Sequence, residues 1–445
     1  MQDDSAKVSR VTGQIRLRNI PFLAGRAGAA LIACLVLAAG GAQAQSAGGE
    51  SPTGRGLTFS VSAGLAATDN PDFRRNPGDG ELRASTDLGL RLRNDTALGS
   101  LVLDANTLLV QKFSGDDKGF ERPRQGISLS YRREGVNAAL DLKASLRESR
   151  IDFLRPLSDF IDENGQIDLP ADLDDLTGTG WQRQTGIDTT LTLGRTARFG
   201  VILGAGLSET SYRDASNPTL EDSERRHASA RMRFDVTPIT RLDLALRYSI
   251  FEESGDRRET WSLDPGLAFE RPDGTIRALL GVTRTEDGTR LSAEVGRMIE
   301  RPWGRLDGRI GAVRLANGNT ALSGGLRLTY ALPRAQLAVA LDRSAISGSD
   351  DDEVLRTALT VNYQQAVTEI SSLSLNLAYV ENDNGATGRV TDNASFGLGY
   401  NHALTEDWSV ILGYNYRMRR ESDLPGRTSE NEVSVMLRRS LTFGF

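Results

Sequence analysis

Apolar and polar residues alternate along almost the whole chain from Leu57 onward, in runs of about ten residues separated by turn-forming residues. In the last run, 431–445, one parity is almost entirely apolar. The apolar residues of that parity are Val433, Val435, Leu437, Leu441, Phe443 and Phe445. A period of two places alternate side chains on opposite faces of a β-strand, whereas a helix requires spacings of three and four. The pattern therefore predicts an all-β protein.

The connections between these runs alternate in length. Short ones fall near 94–98 and 332–334, for example, whereas polar and mostly longer ones, such as 148–182, 213–224 and 252–259, lie between them. Strands joined by alternating short and long connections are typical of a transmembrane antiparallel up-and-down β-barrel. The best count is 20 strands over residues 57–445, and merging weak neighbours lowers it to 18 or 16.

The start of the chain has the features of an export signal. Arg16, Arg18 and Arg26 precede the apolar run 27–39, and Ala42-Gln43-Ala44 provides small residues at a cleavage site. Residues 1–44 are therefore predicted to be a secretory signal peptide, and 45–56 a short periplasmic segment. Residues 31–34, which end in Cys34, also fit a lipoprotein signal. However, the apolar run continues beyond Cys34, which favours cleavage after Ala44.

Composition narrows the possible functions. Removing residues 1–44 takes away five basic and two acidic residues, so the net charge changes from −6 to −9. An acidic chain without a basic tract argues against nucleic acid as a partner. The only histidines, His227 and His402, lie in no recognisable nucleophile motif, and no cluster of Cys and His could bind a metal. The sequence thus predicts no enzyme activity, no metal site and no cofactor.

The polar parity of the predicted strands carries many charges. So many charges are too costly to bury in a dry core, but they can line a water-filled lumen. The predicted lumen-wall residues are Arg83, Asp87, Arg91, Asp141, Lys143, Arg231, Arg233, Asp243, Arg247, Arg305, Arg309 and Arg417. Pairing of arginine with aspartate across strands, which would close the interior, is the alternative at this stage.

The longest connection is the best candidate for a selective constriction because it combines carboxylates with large apolar residues, which an exposed loop has little reason to carry. Its candidate carboxylates are Asp152, Asp159, Asp162, Glu163, Asp168, Asp172, Asp174 and Asp175. If the loop enters the lumen, deleting 152–176 should raise the single-channel conductance. An unchanged conductance would instead indicate an exposed acidic loop that contacts neighbouring molecules or the cations of lipopolysaccharide.

Taken together, the signal peptide, the alternating strands and the final Phe445 resemble an outer-membrane β-barrel of the porin type. The segment Gly64-Leu65-Ala66-Ala67-Thr68-Asp69-Asn70-Pro71 resembles the opening strand of the β-barrel porin 2 family. The resemblance implies residence in the outer membrane of a Gram-negative bacterium, among outer-membrane lipid and lipopolysaccharide. It also implies that Phe443 and Phe445 form a C-terminal signal for the barrel assembly machinery.

The function expected from this resemblance is passive diffusion of small hydrophilic or charged solutes through the lumen. The alternative is an accessory barrel for export or surface attachment of capsular polysaccharide or exopolysaccharide. A homo-oligomer is compatible with the pattern, but the sequence specifies neither the oligomeric state nor the solute.

Overall fold

The computed structural model describes residues 54–71, 73–114, 118–151, 176, 178–347, 353–385 and 387–444. Within these residues the chain forms twenty strands. They are β1 (Arg55–Thr68), β2 (Glu81–Thr96), β3 (Gly99–Lys112), β4 (Gly119–Glu134), β5 (Ala138–Arg150), β6 (Trp181–Leu193), β7 (Phe199–Arg213), β8 (Ser223–Thr237), β9 (Thr240–Glu253), β10 (Asp256–Arg271), β11 (Gly274–Thr285), β12 (Gly288–Arg301), β13 (Gly304–Arg314), β14 (Thr320–Leu332), β15 (Ala335–Ser347), β16 (Glu353–Thr368), β17 (Ser371–Asn384), β18 (Arg389–Ala403), β19 (Trp408–Glu421) and β20 (Thr428–Gly444).

Every strand pairs antiparallel with its neighbours in the sequence, and β1 pairs with β20 from Gly56↔Gly444 to Thr68↔Glu432. This last pairing closes the sheet into a barrel and leaves no free strand edge. The prediction of an all-β, 20-stranded up-and-down barrel is thus confirmed. The first strand begins at Arg55, two residues before the predicted Leu57. The described residues contain no helix that is long and apolar enough to cross a membrane.

The barrel has a short-turn end, where β2 meets β3, and a long-loop end, where β1 meets β2. One predicted long connection at the long-loop end is wrong. Residues 252–259 contain only a two-residue turn, Ser254–Gly255, between β9 and β10. Both residues have positive φ, 49° and 94°. Two consecutive residues with positive φ form the tight hairpin turn whose twist matches that of paired strands.

The outer face of the barrel is apolar, and aromatic side chains encircle the barrel as a ring near each end. The ring near the short turns includes Phe199, Phe234, Phe269, Tyr330, Tyr400 and Trp408. The ring near the long loops includes Trp181, Tyr248, Trp261, Tyr379 and Tyr416. On β10, Trp261 and Phe269 are eight residues apart, or about 20 Å along the barrel axis for a strand tilted by about 40°. This height is close to the apolar band of outer-membrane-type barrels, which is about 25 Å tall.

A bulge in β4 changes which side chains face inward near the long-loop end. Leu108 pairs with Arg124, and Val110 pairs with Glu121, so Arg122 and Pro123 together oppose one residue of β3. Proline is tolerated at such a position because it has no backbone N–H to donate to the ladder. As a result, Glu121 lies on the same face as Arg124, although their numbers differ in parity.

Candidate functional site

The polar face of the strands lines the barrel interior. On the concave inner face, a side chain can reach past a neighbouring strand to the next one. Arg83 of β2 forms an ion pair with Glu432 of β20, although β1 lies between the two strands. Similarly, Arg277 of β11 forms an ion pair with Asp307 of β13, although β12 lies between the two strands. These contacts identify the polar parity as the inner one.

All twelve predicted lumen-wall residues lie on this inner parity, and ten of them are in ion pairs with other charged groups of the inner face. The partners are Glu432 for Arg83, Arg124 for Asp87 (3.5 Å), Asp104 for Arg91 (2.6 Å), Arg132 for Asp141 (3.6 Å), Asp235 for Arg233 (3.6 Å), Arg241 for Asp243 (3.3 Å), Asp264 for Arg247 (2.5 Å), Asp307 for Arg305 (3.9 Å), Asp342 and Glu294 for Arg309, and Glu430 for Arg417. The inner wall is therefore charged and extensively paired.

Arg233 has a different role, at the short-turn end. Its Nη2 donates hydrogen bonds to the carbonyl oxygens of Gly194, Arg195 and Ala197 at 3.1–3.2 Å. These carbonyls belong to the turn between β6 and β7, where the strand ladder does not satisfy them. Arg233 therefore also stabilises a turn. The two remaining predicted residues, Lys143 and Arg231, have no ionic partner among the described residues.

The exposure of the inner charges changes along the barrel axis. Toward the short-turn end the side chains of Arg91 and Arg305 are 63% and 54% exposed. At the long-loop end the side chains of Lys112 and Glu81 are 6% and 4% exposed. On β2 and β3 the interior is thus open to solvent toward the short turns and closely packed near the long loops. On β9, by contrast, Arg247 beside Tyr248 is still 54% exposed.

A buried ion network spans β2 to β5 at the long-loop end. Lys112 lies 3.4 Å from Glu81 and 3.6 Å from Glu121, and Glu121 also pairs with Arg150 at 2.7 Å. The sequence predicted strands near these four residues but no role for any of them. A run of charges at a strand end resembles a loop in sequence, and the bulge at Pro123 hides the inward parity of Glu121.

A second buried group crosses the seam between β1 and β20. Glu430 accepts a hydrogen bond from Thr68 Oγ1 at 2.7 Å and pairs with Arg417. The guanidinium of Arg417 lies 4.5 Å from the ring of Phe73, a residue of the β1–β2 loop with a φ of 50°. Asn70 fastens this loop by donating to the carbonyl oxygen of Ser429 at 2.9 Å. The first loop is thus tied to the last strand at the barrel mouth.

A cavity of about 410 Å³ opens on the inner wall beside this seam. Its charged lining consists of three arginines, Arg83, Arg124 and Arg417, and three carboxylates, Asp87, Glu430 and Glu432. Its uncharged lining includes Asn376, Ser395, Asn415 and Ser434. The cavity therefore offers many hydrogen-bond donors and acceptors, but its lining has no excess charge of either sign.

The eight predicted constriction carboxylates, residues 152–175, lie outside the described residues. At the base of that connection, Ile151, Leu176 and Leu220 form a buried apolar cluster against which Tyr212 packs. Ile151 N donates to Gly180 O at 2.9 Å. Of the predicted assembly signal, Phe445 lies outside the described residues, whereas Phe443 belongs to β20 and is 38% exposed on the apolar face.

The two histidines lie on opposite faces of the wall. His227 faces the lumen, with Nε2 at 3.5 Å from Asp188 Oδ1. His402 lies on the outer face, stacked against Tyr400 at a centroid distance of 6.3 Å. Within the described residues, no group of three or more His, Cys, Asp or Glu side chains could hold a metal ion.

Comparison with known proteins gives only distant structural similarity. No protein-family model matches the chain, and no curated protein matches it. Similar solved structures include the siderophore receptor PirA from Pseudomonas aeruginosa (11% identity, 88% of this chain and 81% of that chain covered, TM-score 0.46). OccAB4 from Acinetobacter baumannii (11%, 88% and 100%, 0.40) and OpdK from Pseudomonas aeruginosa with vanillate (13%, 87% and 99%, 0.41) are also similar. The fold assignment rests on the strand register of this chain itself.

Proposed function

We propose that the protein is an outer-membrane channel of the porin type, through which small hydrophilic or charged solutes diffuse passively. The carrying observation is the exposure of charged side chains on the inner wall. Arg91, Arg247 and Arg305 are each more than half exposed, although they face the interior of a closed barrel. Charges with that exposure need water around them, because transfer of a charge to a dry interior is strongly unfavourable. Barrels of this strand number have room for such water.

The outer face supports a membrane location. Large apolar side chains such as Leu280, Val295 and Ile310 are about 60% exposed there, between the two aromatic rings. An apolar band of this size in water would be a strong aggregation liability, whereas lipid tails would cover it. Together with the predicted signal peptide, this favours the outer membrane of a Gram-negative bacterium.

The proposal includes several partners and excludes others. Outer-membrane lipid and lipopolysaccharide would surround the barrel, and the assembly machinery would read β20, which places Phe443 on the outer face beside the closing seam. A homo-oligomer stays compatible with this arrangement. Nucleic acid is not a proposed partner, and no catalytic reaction or cofactor is proposed.

The dry long-loop end favours a second candidate, the accessory barrel for polysaccharide export or surface attachment. Lys112 and Glu81, which lie on the inner face 3.4 Å apart, have side-chain exposures of 6% and 4%. Such burial of charges is expected where the interior is narrowed or closed. The two candidates differ in whether ions cross the barrel.

Single-channel recording of the refolded protein in a planar bilayer tests the proposal. The only native cysteine, Cys34, lies in the predicted signal peptide, so the refolded chain from Gln45 onward contains none. From this chain we expect steady conductance steps. A charged methanethiosulfonate reagent should reduce these steps in the Arg91→Cys variant. It should leave the Leu90→Cys variant unchanged, because Leu90 is the neighbouring residue on the outer face and is 40% exposed there. A correctly folded barrel without conductance would contradict the channel and favour the accessory barrel.

A further inference from the structure

Three cations of the inner wall stand apart from the paired network. Among the described residues, Lys143 and Arg147 of β5 and Arg231 of β8 have no carboxylate within 4 Å, and all three are exposed. On the wall beyond β10, by contrast, Arg309 lies against both Glu294 and Asp342. An exposed cation without a partner remains available to an anion in the lumen.

The strand register places these cations at two levels of one surface. Residues that pair with one another across successive strands form a row. The row that starts at Tyr131 of β4, near the short turns, reaches Tyr248 of β9 and Trp261 of β10, in the ring near the long loops. On β10 the two rings lie eight residues apart, at Trp261 and Phe269. A row that begins in the ring near the short turns on β4 and ends in the ring near the long loops on β10 therefore shifts by about eight residues toward the long loops over six strands.

The same shift relates β5 to β8, which are three strands apart. The row from Lys143 leads through Asp188 and Gly206 to His227. Over three strands this row shifts by about four residues toward the long loops. The residue of β8 at the same height along the barrel axis as Lys143 is therefore Arg231, four residues nearer the short turns than His227. For the same reason, Arg147 lies at the height of His227. Three strand spacings of about 4.8 Å and four residues of about 3.3 Å separate the Cα atoms of Lys143 and Arg231 by about 20 Å. Their long side chains can extend toward each other from the two sides and bind one small solute that carries several anionic groups.

The inner surface between these cations is lined by small residues and is called the recess. The inner positions of the intervening strands include Gly186, Gly204 and Gly206, and hydroxyls are supplied by Ser145 and Ser229. A Cβ at Gly206 would overlap the side chains of both Asp188 and His227, so these two side chains extend over this glycine toward each other. Asp188 is the one carboxylate within the recess, and it faces His227 at 3.5 Å rather than a lysine or arginine.

We propose that this recess, bounded by Lys143, Arg147, His227 and Arg231, binds small oxyanions, with carboxylates as the expected class. The inference rests on the proposed channel function and gives the channel a preference for anions. Three fixed cations against one carboxylate leave an excess positive charge on one side of the lumen. Guanidinium and ammonium groups donate charge-assisted hydrogen bonds to carboxylate or phosphate oxygens. Fixed charges of one sign along a pore select the opposite ion.

The test compares the variant Lys143→Gln/Arg147→Gln/Arg231→Gln with a control, Arg247→Gln/Asp264→Asn. The control removes an ion pair of the same lumen, joined at 2.5 Å, without changing the net charge. Under a potassium chloride gradient we expect the unmodified channel to favour chloride. The triple variant should lower the chloride-to-potassium permeability ratio by at least about fivefold, while the control retains it. An equal ratio in all three proteins would overturn the proposal.

A second measurement works even if the barrel does not conduct. Potassium citrate and inorganic phosphate are titrated separately into the refolded protein in detergent micelles, and binding is followed by calorimetry. Citrate should bind the unmodified protein and the control about tenfold or more tightly than the triple variant. Binding of phosphate but not citrate would overturn the carboxylate assignment, and equal citrate binding by the triple variant would overturn the site. Absence of conductance with intact citrate binding would contradict the channel alone.

Discussion

Replacing Gly64 with alanine is expected to sharply lower the fraction of chains that close into a barrel. A Cβ at this position would overlap the carbonyl oxygen of Val435 and would lie 2.7 Å from the Cα of Met436. Both atoms belong to the backbone of β20, which cannot move aside as a flexible side chain could. Overpacking of this kind costs about 1–3 kcal/mol or more. The penalty falls on the only pairing that closes the sheet.

The matched control is Gly56→Ala, on the same strand and opposite the same partner. There a Cβ would meet only the carbonyl oxygen of Phe443, at 3.7 Å, which is an ordinary van der Waals distance. The two proteins are refolded from urea into detergent, and the folded fraction is read from the difference in electrophoretic migration between unheated and heated samples. Equal folded fractions for the two variants would show that β1 and β20 can separate enough to admit the methyl group.

The strand count and order follow from sequence because one face of each strand is predominantly apolar and the other is mixed or polar. Leu242, Leu244 and Leu246 establish the parity of β9 without any knowledge of its neighbours, and its partner then follows from chain order in an up-and-down barrel. Connection lengths are harder to predict. The polar stretch around Ser254 and Gly255 resembles a loop in sequence, but a two-residue turn suffices because both residues adopt positive φ.

The sequence also predicts that the twelve charged side chains face the lumen, but it does not predict their ionic partners. Arg83 and Glu432 are 349 residues apart and meet only because β1 closes against β20. The contact further requires small inward residues on β1, such as Ala66 between their strands, so that the arginine can pass over it. Register and closure are collective properties of the sheet, so the sequence of one strand does not specify them.

The missed residues share a physical reason. Glu81, Lys112 and Glu121 lie at strand ends beside long connections, where a charge in sequence is normally solvated. Their burial arises from the packing of the long-loop end of the lumen. One signal was available for Glu430 and Glu432, because both continue the inward parity of Ser434 and Met436 on β20. Glu432 already lies within the predicted strand 431–445, and extending that strand by one residue would have included Glu430.

The second large effect is expected from Lys112→Met, which should strongly destabilise the folded barrel. Methionine approximately preserves the volume of the lysine chain but removes the ammonium group that lies between Glu81 and Glu121. The carboxylates left behind are 4% and 19% exposed. Glu121 keeps its pair with Arg150, whereas Glu81 keeps only Arg83 at 3.6 Å, which also pairs with Glu432. One net negative charge therefore stays buried, and removing one partner of a buried ionic group costs about 3–5 kcal/mol. Equilibrium unfolding by urea in lipid vesicles measures the loss.

A comparison between two pairs of the same hairpin separates burial from charge. Arg91 and Asp104 join β2 to β3 as Glu81 and Lys112 do, but their side chains are 63% and 38% exposed. Arg91→Met should therefore cost less than about 1 kcal/mol, the usual value for a solvated pair. Adding Glu81→Gln alone to Lys112→Met should recover much of the lost stability, because Glu121 and Arg150 then remain as a balanced pair. Similar losses from Lys112→Met and Arg91→Met would mean that water reaches the long-loop end as freely as the short-turn half. The gradient of hydration along the lumen would then be absent.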